Sequence, residues 1–135
     1  MAINIGKSNE SEAATPKGLL KMISPQFVKI AREIIAHIRK GNKLCRGGLI
    51  SNDFTTCPLG AVCLNNGLSI APNHRPHTLY DFAKSKTGLS FTFTIGFDDS
   101  GALYDTRNMK NYIGNSEYEI GYALGKQCDK RKWIV

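Results

Sequence analysis

Four residues in one stretch of the chain have side chains that bind zinc in other proteins. They are Cys57, Cys63, His74 and His77, within 21 positions of one another. A structural zinc ion takes four nitrogen or sulfur ligands at the corners of a tetrahedron. The two cysteines are six positions apart on a predicted helix, which turns them to different sides, and no Cys-x-x-Cys pair occurs. The spacing therefore favours buried thiols and loop histidines over a metal site.

A cysteine nucleophile is the second chemical hypothesis. Cys57 lies at or beside the start of a predicted helix, where the helix dipole favours the thiolate. Either His74 or His77 is available to act as its base. The positions permit this arrangement without requiring it, and a packing role in a short core helix is the simpler interpretation.

Three aspartates, Asp98, Asp99 and Asp105, offer oxygen ligands for magnesium, but the Asp-Asp-Ser-Gly run is also typical of a turn. We interpret them as turn residues. The chain has no glycine-rich phosphate loop and no serine nucleophile motif. These observations predict a protein that is not an enzyme and that has no cofactor and no metal.

The distribution of charge indicates more about function than these candidate metal and catalytic residues do. The 135 residues include 18 Lys and Arg against 11 Asp and Glu, a net charge of +7. Residues 24–49 carry +5 and residues 106–135 carry +3, whereas residues 50–105 carry −2. This uneven distribution predicts a negatively charged partner that approaches one side of the molecule. An unspecific, solvated cationic surface is the alternative.

The longest periodic pattern belongs to a helix that begins at Ser24-Pro25, an N-cap residue followed by proline at the first helical position. Apolar residues then recur at helical spacing from Phe27 to Ile38, and Gly41-Asn42 ends the helix. Opposite this stripe runs a second helical line of Lys29, Arg32, Ala36, Arg39 and Lys43. We expect it to form a cationic ridge.

This ridge and a basic C-terminal segment form the predicted binding surface. Its residues are Lys29, Arg32, Arg39, Lys43, Arg46, Lys126, Lys130, Arg131, Lys132 and Trp133. Against phosphates such a surface gives salt-sensitive binding without sequence preference, and no base-reading motif is present. Against a protein, exposed aromatic residues ringed by Arg and Lys would be the anchors: Tyr80, Tyr104, Tyr112 or Trp133.

Three further helices are expected: a short buried one over residues 55–64, a brief one from Thr78 to Gly88, and one in which Ser116 and Glu119 form a capping box. Gly121 and Gly125 in the last helix predict close packing against another backbone. Residues 90–106 remain open between a β-hairpin, because their apolar residues alternate, and a helix, because Phe91 and Ile95 are four apart.

The composition, 41% hydrophobic and 21% charged, predicts a small, mainly α single-domain fold, with α+β as the alternative if the hairpin forms. The domain is expected over residues 16–135, after a flexible arm over residues 1–15. No apolar run is long enough to cross a bilayer, so we expect a soluble, cytoplasmic protein without a membrane partner. Its four cysteines are then expected to stay reduced.

The block from Ile34 to Gly67 joins an amphipathic helix to a short helix that contains Cys57, Gly60 and Ala61. It resembles uncharacterised small helical bacterial and phage proteins that carry a Cys-x-x-Gly-Ala element. The resemblance covers about a third of the chain. It implies a compact helical domain in a phage or mobile-element setting and implies no activity.

Together these patterns favour a small binding protein that docks through a basic face onto an acidic protein or nucleoprotein complex and inhibits it. Nucleic-acid binding without sequence preference is the alternative, and a cysteine- or zinc-dependent enzyme is the third hypothesis.

Overall fold

The computed structural model describes residues 24–46, 50–52, 55–68, 76–101, 111–112 and 114–135. The long elements in these ranges are helices, and the strands are short, as predicted for a mainly α fold. In chain order the elements are α1 (Pro25–Arg39), β1 (Lys43–Leu44), β2 (Ile50–Asn52), β3 (Thr55–Thr56), α2 (Pro58–Asn65), α3 (Pro76–Thr87), α4 (Phe91–Asp99) and α5 (Ser116–Lys130). The predicted arm over residues 1–15 and the start of the predicted domain at residue 16 lie outside these ranges.

Helix α1 forms as its sequence predicts. The Ser24 hydroxyl accepts a hydrogen bond from the Phe27 amide at 3.2 Å, and proline occupies the first helical position. The apolar stripe, Phe27, Ile30, Ala31, Ile34 and Ile35, is buried. Gly41 takes a φ of 88° directly after the C-cap, a conformation that glycine adopts without strain and that ends the helix.

The three strands form a small sheet in the order β1-β3-β2. Strand β1 pairs with β3 in parallel, and β2 pairs with β3 antiparallel. Beyond β1 the sheet continues with a parallel bridge between Leu44 and Ile134, so the C-terminal segment lies along the outer side of β1. No strand was expected in this region, and Thr55 and Thr56, expected to precede a helix as cap-like residues, form β3.

Helices α2 and α3 lie where they were expected. Cys57 occupies the N-cap position of α2, and Leu59, Ala61, Val62 and Cys63 are fully buried. Helix α3 begins at Pro76, two positions before the expected cap at Thr78. Helix α1 packs on α2, and α2 packs on α3, which encloses the core.

The sequence left residues 90–106 open between a hairpin and a helix. In the structure Phe91–Asp99 form a helix. The residues after Gly101 up to position 110 lie outside the described ranges. Phe93, Thr94, Gly96 and Phe97 are buried, a pattern of one helical face, while Phe91 remains 54% exposed. A strand would have buried Phe91 together with Phe93, so the alternating pattern predicted the wrong alternative.

Three glycines determine how α4 and α5 pack. A Cβ added to Gly96 would overlap the Tyr118 carbonyl oxygen, and one added to Gly121 would overlap that of Phe93. A Cβ on Gly125 would overlap the Ser100 hydroxyl. The prediction that another backbone packs against Gly121 and Gly125 is confirmed.

The capping box predicted for α5 is wrong by one position. Asn115, not Ser116, is the N-cap residue, and its side-chain oxygen accepts a hydrogen bond from the Tyr118 amide at 3.0 Å. Glu117, in the first turn of α5, interacts with the start of α4. Its carboxylate accepts hydrogen bonds from the amide of Ser90, the N-cap residue of α4, at 2.6 Å and from the Ser90 hydroxyl at 2.8 Å.

Candidate functional site

The outer side of α1 carries the cationic ridge. Lys29, Arg32 and Arg39 are exposed, and Ala36 between them is half-buried. With a rise of 1.5 Å per residue, the ridge extends about 15 Å from Lys29 to Arg39. The apolar stripe occupies the opposite side, so burying the stripe necessarily presents the cations to solvent.

Lys43, expected on the helical line of the ridge, lies instead in strand β1, and this strand brings the C-terminal Lys132 beside it. The Leu44 amide donates to the Trp133 carbonyl at 2.8 Å, and the Val135 amide donates to the Leu44 carbonyl at 2.9 Å. Lys43 therefore lies beside Lys132, and its ammonium group donates to the Lys132 carbonyl at 3.2 Å. Two cations that are 89 positions apart in sequence become neighbours.

We define the basic surface as Lys29, Arg32, Arg39, Lys43 and Lys132, all of them exposed. Within the part of the chain that the structure describes, none of these five residues forms an ion pair with a carboxylate. Part of this charge complements helix ends, because Arg39 lies in the last turn of α1, where the dipole is negative. Lys29 and Arg32, which lie before the last turn of α1, have no such role.

Arg46 does not belong to this surface, and its inclusion among the binding residues is corrected. Its guanidinium group forms a two-point ion pair with Asp129, with nitrogen–oxygen distances of 2.8 and 3.1 Å. It also donates to the Phe97 carbonyl at 3.1 Å and to the Ser100 hydroxyl at 2.7 Å. Arg46 thus joins the end of β1 to the C-terminal ends of α4 and α5.

The remaining predicted cations lie on or after α5 and are partly engaged within the chain. The Arg131 guanidinium donates to both oxygens of Gln127 at 2.8 Å and lies 5.5 Å from the Trp133 ring centroid. Burial lowers the pKa of Arg131. Lys126 lies 5.4 Å from the Tyr122 ring, and Lys130 is exposed at the last position of α5.

The aromatic residues proposed as anchors have partners inside the chain. Trp133 is half-buried against the core. Tyr80 makes an edge contact with Phe91 at 5.4 Å, and Tyr112 stacks on Tyr118 at the same centroid distance. Tyr104 lies outside the described residues. The three described aromatic residues therefore contribute to packing within the chain.

The surroundings of Cys57 oppose a role as nucleophile. Its side chain forms no capping hydrogen bond, although the backbone amides of Leu59 and Gly60 at the helix start act to lower its pKa. Burial outweighs them and raises the pKa of Cys57 to about 12, and the nearby charge of Asp98 acts in the same direction. The sulfur is therefore a buried thiol at neutral pH, which does not act as a nucleophile toward molecules in solution.

The predicted zinc ligands are only partly described. Cys63 is buried and donates to the Leu79 carbonyl at 3.4 Å, and burial raises its pKa to about 11. His74 lies outside the described ranges, and His77 lies in α3 with an undescribed side chain. Among the described residues, no three side chains of the His, Cys, Asp or Glu type lie close enough to hold a metal ion.

The sequence interpretation missed two polar features of the interior. Asp98 and Asp99 were expected in a turn but form the end of α4, where Asp99 accepts a hydrogen bond from the Tyr118 hydroxyl at 2.8 Å. His37 was not singled out, yet it is fully buried with its Nε2 atom 3.0 Å from the Lys43 carbonyl oxygen. The Ser-Gly that follows the aspartates indicated a turn, and His37 is polar within an apolar pattern, a signal that was available.

Comparison of the chain with protein-family models, with curated proteins and with solved structures gives no match. No described helix is both long and apolar enough to cross a membrane.

Proposed function

We propose that this chain is a non-catalytic binding protein whose basic surface docks onto an acidic patch of another protein, within a complex that it inhibits. The observation that supports this proposal is the ridge of α1. Its three cations are exposed and, in the described part of the chain, unmatched by carboxylates. A charged partner surface would supply the missing counter-charges and steer the encounter.

The composition of the ridge favours a protein partner over a nucleic acid. At its centre are two arginines, Arg32 and Arg39, with the half-exposed methyl group of Ala36 between them. Arginine is enriched in protein interfaces, whereas lysine is depleted there. Trp133, the aromatic residue nearest the basic C-terminal segment, packs against the core and beneath Arg131, and so is poorly placed to stack on bases.

The setting that the Cys-x-x-Gly-Ala resemblance implies is compatible with this role. Small phage or mobile-element proteins that bind a host complex need a stable core and one recognition surface rather than a catalytic set. We include a phage or mobile-element origin in the proposal on that resemblance alone, and a cytoplasmic location as the sequence predicts it.

The test is charge reversal on the ridge. We expect immobilised wild-type chain to retain an acidic protein from a nuclease-treated lysate of the producing cells, and the Arg32→Glu/Arg39→Glu variant to lose it. The matched control is Lys84→Glu/Lys86→Glu, which reverses two exposed cations on α3 that are not part of the basic surface. Retention of the same protein by the ridge variant would contradict the proposal.

A salt titration with plain duplex DNA distinguishes nucleic-acid binding from the proposed binding of an acidic protein. Phosphate binding through several cations weakens steeply as salt increases, because counterions are released. If the wild-type chain binds duplex in this manner, the ridge variant does not, and no protein is retained after nuclease treatment, then nucleic-acid binding replaces the proposed function.

A further inference from the structure

Two cysteines lie directly opposite each other where β1 and β3 end. In the parallel pairing of these strands Leu44 is opposite Thr56. The Cys45 amide then donates to the Thr56 carbonyl at 3.0 Å, which is the bond that a parallel ladder makes when Cys45 is opposite Cys57. The register thus continues one position beyond the paired strands on both sides.

This register gives the spacing that a disulfide requires. Neighbouring strands lie about 4.8 Å apart, within the range of about 4.4–6.8 Å found between the Cα atoms of disulfide-bonded cysteines. Residues opposite each other in a sheet project to the same face, so the two sulfurs leave their backbones in the same direction. The electrostatic effect of Cys45 on the thiol of Cys57 is consistent with that proximity.

The two thiols differ in access. Cys45 is half-buried, whereas Cys57 is fully buried. Both are reduced in this structure. A reagent in solution therefore meets Cys45 first, and Cys57 is placed to react only with a sulfur that Cys45 carries.

We propose that Cys45 and Cys57 are a thiol pair that a small-molecule disulfide oxidises to an intramolecular bond between the ends of β1 and β3. Lys43, two positions before Cys45, projects to the same face of β1 and is exposed. Its ammonium group attracts the carboxylates of a reagent such as oxidised glutathione to this face.

The exchange balances in two steps. The Cys45 thiolate attacks one sulfur of the reagent, the reagent's disulfide breaks, and one glutathione thiolate leaves. The mixed disulfide then places a sulfur atom beside the buried Cys57, whose thiol attacks the Cys45 sulfur, expels the second glutathione and passes its proton to that leaving thiolate. The chain loses two hydrogens, and one oxidised glutathione becomes two reduced molecules.

The test treats the native, full-length chain with oxidised glutathione and follows its intact mass and its alkylatable thiols after unfolding. We expect loss of two hydrogens and of two of the four thiols, and a peptide map in which Cys45 is joined to Cys57. Cys63→Ser, which keeps a donor for the Leu79 carbonyl, is the matched control and should behave as wild type.

Two variants separate the steps. Cys45→Ser, a change at a half-buried position, should prevent any modification, and Cys57→Ala should stop at one glutathione bound to Cys45. If Cys57→Ala does not fold, the wild-type peptide map and Cys45→Ser decide. A lasting mixed disulfide in the wild-type chain, a bond between any other two cysteines, or four thiols intact after treatment would overturn the proposal.

Discussion

The two ring nitrogens of His37 have different surroundings. The Nε2 atom lies 3.0 Å from the Lys43 carbonyl, which only accepts hydrogen bonds, so this nitrogen carries the proton. The Nδ1 atom is buried and has no hydrogen-bond partner among the described residues. A second proton on the ring would place a charge in the core where nothing described receives it.

Burial consequently lowers the pKa of His37 below 6.5, the nearby charge of Lys40 adds to this, and the hydrogen bond to Lys43 opposes it. Below pH 6.5 the unfolded chain binds a proton that the folded chain resists, so stability falls with pH until the folded pKa is passed. We expect the wild type to lose up to about 1.4 kcal/mol per pH unit in this window. Thermal unfolding from neutral to mildly acidic pH measures this loss, and His37→Gln should show a shallower dependence. If stability depends on pH equally in the wild type and in His37→Gln, the prediction is wrong.

Arg46 shows that a cation's position in sequence does not reveal its role. Its neighbours in sequence indicate one more surface charge, but its partners come from α4 and α5, which begin dozens of residues later. Its side chain is only 20% exposed, whereas that of Asp129 is 45% exposed. Removing the arginine takes away the donor that the Phe97 carbonyl, the Ser100 hydroxyl and the Gly125 carbonyl share, while removing the carboxylate leaves those hydrogen bonds in place.

We therefore expect Arg46→Met to lower the free energy of unfolding by about 2–4 kcal/mol. Asp129→Asn should cost only about 1 kcal/mol, because its side chain is half-exposed. Arg39→Met, an exposed control, should change stability by less than about 0.5 kcal/mol. Chemical denaturation measures the stability of all three variants. If Arg46→Met costs no more than the control, the bonds that join β1 to α4 and α5 through Arg46 do not stabilise the fold.

At the scale of elements, the contact between α4 and α5 explains why residues 91–99 are helical. Their sequence satisfies both an alternating and a three-to-four spacing, so local pattern leaves the choice open. Gly96 on α4 meets the backbone of α5, and Gly121 on α5 meets the backbone of α4. The choice between helix and strand therefore depends on a partner helix that local pattern does not include.

Gly121→Ala tests that contact by the sign of its effect. In an uncrowded helix the change would stabilise the protein by about 1 kcal/mol, because alanine has the higher helix propensity. Here the new methyl group overlaps the Phe93 carbonyl, so we expect a loss of about 1–3 kcal/mol instead. Urea denaturation of the wild type and the variant gives the sign, and a gain in stability would show that the helices are farther apart.

At the scale of the whole molecule, the C-terminal segment is part of the sheet. Trp133 packs against the core, and its carbonyl accepts the Leu44 amide. Trp133 is the one tryptophan in the sequence, so the tryptophan fluorescence of the protein reports on this segment alone. Its docking depends on β1, which follows α1 directly.

We expect the fluorescence of Trp133 and the far-ultraviolet circular dichroism of the helices to change at the same denaturant concentration. Coincident transitions are the mark of a single cooperative unit. The same measurement on Val135→Pro, which removes the amide that donates to the Leu44 carbonyl, should give one transition at a lower midpoint. A fluorescence change that precedes the helical transition would show that the segment detaches independently.

The sequence predicts what is local and periodic. The stripe of α1, its caps and its ridge were predictable because each rests on residues three or four apart. The strands were not, because β1 and β3 have two residues each, too few for a period, and β1 is recognised only by its partners. The basic surface was predictable along α1, but the meeting of Lys43 with Lys132 depends on that sheet.

The bond between Lys43 and Lys132 spans 89 positions, and this separation bears on synthesis. A ribosome adds about 5–20 residues per second, so β1 leaves the exit tunnel several seconds before the segment that covers its outer side is made. During that interval β1 presents unpaired backbone groups to every chain nearby. In a nascent chain the edge of β1 is therefore unpaired at the place where the finished protein carries Lys43 and Lys132. When several ribosomes translate one messenger RNA, we expect this edge to favour pairing between neighbouring chains.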